Sequence, residues 1–93
     1  MTNNNKVRGT FFEIRVFKYY KRQGFFAVRS SGSFGPADVV AIKKGDIRLI
    51  QCKLNGHIAS YELKALKAAC KRAGAEGYLA YPEGRKLIIK KLI

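Results

Sequence analysis

Asp38, Gln51 and Lys53 are polar residues set into two short apolar runs, ADVVAIKK (37–44) and DIRLIQCKL (46–54). Both runs read as strands, joined by a tight turn at Lys44-Gly45. Residues i and i+2 of a strand point the same way, so Gln51 and Lys53 share one face and Cys52 takes the other. A hairpin folded at Lys44-Gly45 brings Asp38 close to the level of residues 51–53. A carboxylate, an amide and an ammonium then converge at one end of a sheet. That set suits phosphodiester hydrolysis. Mg²⁺ is a hard cation that takes oxygen ligands. Asp38 offers charged oxygens, and the Gln51 side-chain carbonyl and the Cys52 backbone carbonyl offer neutral ones. Bound metal lowers the pKa of its water and polarises the scissile phosphate. Lys53 is then placed to orient that water or to steady the charge developing on phosphate.

The rest of the chain supplies the frame. Residues 1–7 read as a loose polar arm. In TFFEIRVFKYYKRQG, the residues Phe12, Val16, Tyr19 and Tyr20 recur at helical spacing, with Thr10 as cap, Glu13 as the acid of its capping box and Gly24 as terminator. This predicts a first helix over 10–23. FFAVRS reads as a strand, and SSGSFGP as a Ser/Gly-rich loop. A second helix is expected over 60–73, with Leu63, Leu66, Cys70 and Ala73 on its apolar face and lysines elsewhere. EGYLAYPEGRKLIIKKLI closes the chain as two strands about a PEGR turn. The order is α-β-β-β-α-β-β: a mixed α/β layer with helices against a central sheet.

Composition bounds the partner. Ninety-three residues fit one domain with one modest core. Nineteen Lys and Arg against six Asp and Glu give a net charge of +13, which implies a polyanion and most often nucleic acid. The start MTNNNKVRG has no apolar segment of a secretory signal, so the location expected is cytoplasmic. A membrane-surface role ranks last, and no membrane partner is expected. Two cysteines outside any C-x-x-C pair and a single His argue against structural zinc.

PAD with Asp38, followed by QCK thirteen to fifteen residues later on a β-hairpin, resembles the PD-(D/E)xK nuclease superfamily. RGTFFEIRVFKYYKRQGFFAVRSSGS resembles the opening of the archaeal-type Holliday junction resolvases: a basic-Gly start, a helix-one Glu, then Gly-Phe, Val-Arg and a Ser-Gly loop before the acid. The resemblance covers about residues 6–92. It implies a restriction-endonuclease-like fold and a Mg²⁺-dependent endodeoxyribonuclease (with Mn²⁺ as substitute) that cuts four-way DNA junctions as a homodimer. By the same resemblance Glu13 supports metal or water, Ser31 lies near the scissile phosphate, Asp38 and Gln51 ligate metal, and Lys53 is the catalytic lysine. Gln51 departs from the Glu usual in the resolvases and leaves the site one charge short, although a QxK variant also occurs in Mrr-like restriction nucleases. Arg8, Arg29, Lys43, Lys44 and Lys64 are candidate phosphate contacts, as is Ser31. The alternatives are a restriction-like or nicking nuclease of the same fold, or a non-catalytic DNA-binding module.

Overall fold

The computed structural model describes residues 4–30 and 35–93. Two helices and five strands follow the expected order: α1 (Asn4–Arg22), β1 (Phe26–Arg29), β2 (Val39–Lys43), β3 (Asp46–Cys52), α2 (Ser60–Ala73), β4 (Glu76–Glu83) and β5 (Lys86–Lys91). The strands form one sheet in the order β1-β2-β3-β4-β5. Neighbours run antiparallel except β3 and β4, which are parallel because α2 carries the chain back between them. The fold is therefore a mixed sheet flanked by helices.

α1 departs from its expected start. It begins at Asn4 rather than Thr10, so residues 4–7 are helix and not arm. Gly9 sits inside it, at a cost of only about 1 kcal/mol relative to Ala, which does not stop a helix whose later turns are packed. Thr10 is thus an interior residue, and Glu13 is not a capping acid. The C-terminus is as expected: Gly24 adopts φ +88°, and the Phe25 N–H returns to the Tyr20 carbonyl at 3.0 Å.

The sheet has two faces and each helix covers part of one. Phe12, Val16 and Tyr20 of α1 pack with Phe25, Val39, Ala41, Ile50, Tyr78 and Ala80. On the opposite face Leu66 and Cys70 of α2 pack with Ala37 and Leu49, joined by Val40, Ala69 and Ile93. Ala73 was expected on this apolar face but is exposed; it stands in the last turn, and Ala69 takes its place. Gly77 of β4 lets α2 approach. A Cβ there would lie 2.7 Å from Ile93 Cδ1, 3.0 Å from Cys70 Sγ and 3.2 Å from Leu66 Cδ2. Ile93 cannot withdraw freely, because its N–H and carbonyl both bond to the Gly77 backbone at 3.2 Å. Gly77→Ala is therefore expected to destabilise the fold by about 1–3 kcal/mol through overpacking, read as a lowered Tm in thermal melts.

α2 packs mainly over β3 and β4 and reaches β2 at Val40, short of β1. On its side of the sheet Phe26 and Val28 of β1 and Ile42 of β2 stay open, at 67%, 44% and 40% exposure. Phe26 pairs with Ile42 across the strands, so the three form one apolar patch at the sheet edge.

Candidate active site

β2 begins and β3 ends at the same end of the sheet. Val39 pairs with Ile50, so Asp38 stands one residue before the ladder while Gln51 and Cys52 run one and two residues past Ile50. The Asp38 N–H bonds to the Ile50 carbonyl at 2.8 Å, and the Asp38 Oδ2 accepts the Cys52 N–H at 2.8 Å. The carboxylate thus takes the ladder position that β2 has vacated. One oxygen is fixed by the backbone, which orients the other. Backbone groups alternate along a strand, so the Cys52 carbonyl lies on the same side as its N–H, toward Asp38. Cys52 turns its side chain into the α1 core, whereas Gln51 and Lys53 lie on the α2 face, as alternation requires.

A cleft of about 540 Å³ opens here, lined by Glu13, Asp38, Gln51, Cys52 and Lys53, with Tyr61 and Glu62 from the start of α2. The helices sit on opposite faces, and both reach the cleft because it is at the sheet's end. Glu13 comes from the α1 side and is held by the Arg29 guanidinium at 3.2 Å. Lys53 is held by Glu62 at 2.5 Å. A second groove, lined by Arg8, Gly9, Leu54 and Asn55, shares Cys52 and Lys53 with the first.

The electrostatics are those of a site short of positive charge. Burial raises the Asp38 carboxyl above its usual range, and Glu62 adds to this, against the opposing pull of the Cys52 N–H and Lys53. Burial also raises Glu13, and the Asp38 charge raises it further, while Arg29 pulls it down. Two neighbouring carboxylates that resist ionisation gain when a cation sits beside them. Among the described residues no three His, Cys, Asp or Glu side chains are grouped to hold a metal. The available set is two carboxylates, the Gln51 amide and the Cys52 carbonyl, all oxygen donors of the kind that a hard divalent ion takes. The residues fit such an ion.

Arg29 is the adjustable element. Arg29→Ala removes what holds Glu13 down, so its carboxyl rises further. Protons then compete with an added divalent cation at higher pH, and the pH below which Mn²⁺ no longer binds in a titration is expected to move upward.

The cleft gathers four expected site residues, Glu13, Asp38, Gln51 and Lys53, and places the Cys52 carbonyl beside them. Ser31 lies outside the described residues. Arg29 is at the site but engaged with Glu13, Arg8 lines the adjoining groove, and Lys64 is exposed one turn after Tyr61. Lys43 and Lys44 lie at the hairpin turn, the opposite end of β2 from Asp38; Lys43 Nζ stands 4.5 Å over the Phe25 ring. Tyr61 and Glu62 are lining residues that the sequence reading did not single out. A signal for Glu62 was present: an acid in the first turn of α2, three residues after Ala59, is the back-reaching half of a capping box.

An acid at the head of the second strand and a Gln-x-Lys at the end of the third, beside a helix-one Glu, follow the residue pattern of the PD-(D/E)xK nuclease superfamily on a restriction-endonuclease-like fold. The archaeal Holliday junction resolvase (Hjc) family model matches residues 4–91, and the chain belongs to that family. It is 29% identical over 77 residues to the crossover junction endodeoxyribonuclease Hjc of Methanocaldococcus jannaschii, a match over 78% of this chain and 57% of that protein. The chain thus spans little more than half the length of that relative. The crystal structure of Archaeoglobus fulgidus Hjc, a Holliday junction resolvase from an archaeal hyperthermophile, superposes with a TM-score of 0.80 at 26% identity, over 90% of this chain and 72% of that one.

Proposed function

We propose that this domain is a divalent-metal-dependent endodeoxyribonuclease that resolves four-way DNA junctions, with Mg²⁺ as its ion and Mn²⁺ as a substitute. The observation that carries the reading is the convergence of Asp38, Gln51, Lys53 and Glu13 in one cleft, in a chain of the resolvase family with a net charge of +13. Asp38 and the Gln51 amide oxygen hold the ion, with the Cys52 carbonyl beside them and Glu13 as the further acid. When bound, the ion acidifies a water and polarises the scissile phosphate. The Lys53 ammonium donates hydrogen bonds to the phosphate oxygen on which charge accumulates. Tyr61, 76% exposed at the rim, offers a flat face to an unpaired or distorted base. Arg8 and Lys64 carry the backbone on either side.

The active form is a homodimer joined through Phe26, Val28 and Ile42. The patch is free of charge in a strongly basic chain, so two copies can meet there without bringing cations together. Phe26→Glu is expected to leave a monomer in sedimentation analysis. A variant that stays dimeric would rule this face out.

A labelled synthetic four-way junction, incubated with protein in Mg²⁺ or Mn²⁺ beside a matched linear duplex, tests the function. Symmetric paired cuts in the junction alone support a resolvase. Equal cutting of duplex points to a restriction-like nuclease. Binding without cutting in either metal leaves a DNA-binding module.

A further inference from the structure

Glu62, in the first turn of α2, points into the cleft. Its Oε1 accepts the Ala59 N–H at 3.1 Å, and its Oε2 accepts the Lys53 ammonium at 2.5 Å. The pair is largely withdrawn from solvent, with side-chain exposures of 27% for Lys53 and 18% for Glu62. The helix end fixes the carboxylate, and the carboxylate fixes the ammonium. α2 itself cannot drift, since Leu66 and Cys70 anchor it in the core.

Position 51 gives this contact its meaning. Gln51 lies on the strand face it shares with Lys53 and carries no charge. An ammonium in a partly buried cleft repels a divalent ion placed among the same residues. An acid at 51 would offset that repulsion from the strand; here the offset must come from elsewhere. Resting on the nuclease reading above, we infer that Glu62 is the positioning residue of Lys53 and supplies, from α2, the negative charge that Gln51 lacks. The charge count of the cleft is thereby the same as with an acid at 51, with the acid moved from strand to helix.

The test moves the charge back. Glu62→Gln keeps an oxygen for the Ala59 N–H but puts an NH2 group where Oε2 accepts from Lys53, so the charge and that one hydrogen bond are removed together. Gln51→Glu combined with Glu62→Gln restores the charge on the strand. Mn²⁺ is titrated into the native protein and both variants by calorimetry, with thermal melts and junction cleavage in parallel. E62Q is expected to bind Mn²⁺ about 10-fold more weakly and to cut about 10–100-fold more slowly, the range seen when groups that support metal ligands are removed. Its Tm should stay within a few degrees of native, because the cap survives. The double variant should recover both Mn²⁺ affinity and cleavage to within several-fold. Native Mn²⁺ affinity in E62Q, a double variant no better than E62Q, or a native protein with no measurable Mn²⁺ affinity would each overturn the inference. If none of the three proteins cuts the junction, the nuclease reading fails, while the Mn²⁺ titration still decides the role of Glu62.

Discussion

Asp38→Asn is expected to abolish cleavage, by about 10³-fold or more, while making the metal-free protein more stable at neutral pH. Both effects come from one carboxylate. Asn keeps an oxygen for the Cys52 N–H, so the backbone closure at the sheet's end is preserved. What disappears is the charge that, on the proposed function, holds the divalent ion, and with it the chemistry such an ion would supply. The stability effect follows from the direction of the pKa shift. Burial raises the Asp38 carboxyl above its usual 3.8, so the folded chain binds its proton more tightly than the unfolded chain does. The favourable contribution is complete below the unfolded value and is lost as pH rises through the folded one. At neutral pH the native protein therefore carries an ionised, partly buried carboxylate at a net cost, and Asn removes it. Melts without metal should show the variant ahead by a few degrees at neutral pH and the gap closing on acidification. Added Mn²⁺ should reverse the order, because an ion that binds only the native site stabilises it by about 2.7 kcal/mol at one hundred times its Kd. A variant that melts below native at neutral pH without metal would show that Asp38 holds the fold together rather than the ion.

Such a carboxylate is legible in sequence because strand alternation is a rigid rule. Asp38 before one strand, and Gln51 and Lys53 two apart at the end of the next, can converge only if the hairpin closes at Lys44-Gly45, which it does. Helix α2 was legible for a similar reason: Leu66 and Cys70 repeat at four residues, and Gly74, with φ +63°, stops the helix where the pattern ends. The start of α1 was not. Thr10 and Glu13 satisfy a capping pattern by residue type, but a cap is chosen by where packing and backbone bonds first become favourable, and the helix had already begun at Asn4. Glu62 escaped notice because its partner is nine residues away across a loop, and no local period connects a strand-end lysine to a helix-start acid. The open face of β1 and β2 was equally hidden. FFAVRS shows that Phe26 and Val28 share a side, but not that α2 stops short of covering it.

The distribution of acids shows how so basic a chain would offer the cation site of the proposed function. Of the six acids, Glu13, Asp46, Glu62 and Glu76 each bond a basic side chain, and Asp38 bonds the backbone. Three of these five, Glu13, Asp38 and Glu62, line the cleft. Half of the six acids thus line one cleft in a chain of net charge +13. On the proposed function a polyanion is drawn to the surface as a whole, and a divalent ion to one point on it.

On the proposed function, junction binding is expected to depend steeply on salt. Each phosphate neutralised by Lys or Arg releases counterions, so log K falls linearly with log salt, with a slope of about −0.9 per contact on duplex arms. A protein making 6–10 such contacts loses about 10³–10⁵ in affinity between 50 and 200 mM salt, and a chain of net charge +13 carries enough cations to reach that range. The contacts should not be equivalent. Arg8 lines the groove sharing Cys52 and Lys53 with the cleft, and Lys64 is one turn after the lining residue Tyr61 on α2. Arg8→Ala and Lys64→Ala should each lower the slope by about 1, on any junction. Lys43 and Lys44 stand at the other end of β2, five residues and roughly 17 Å away at about 3.3 Å per residue. They meet only a duplex arm that runs the length of the sheet. Their replacement should lower the slope on junctions with long arms and leave it unchanged when the arms are shortened. Titrations of catalytically silent Asp38→Asn protein against both kinds of junction, at several salt concentrations, measure all four slopes without cleavage intervening. A salt-independent affinity would mean that the junction is gripped through bases or apolar contacts, and that the basic surface has another purpose.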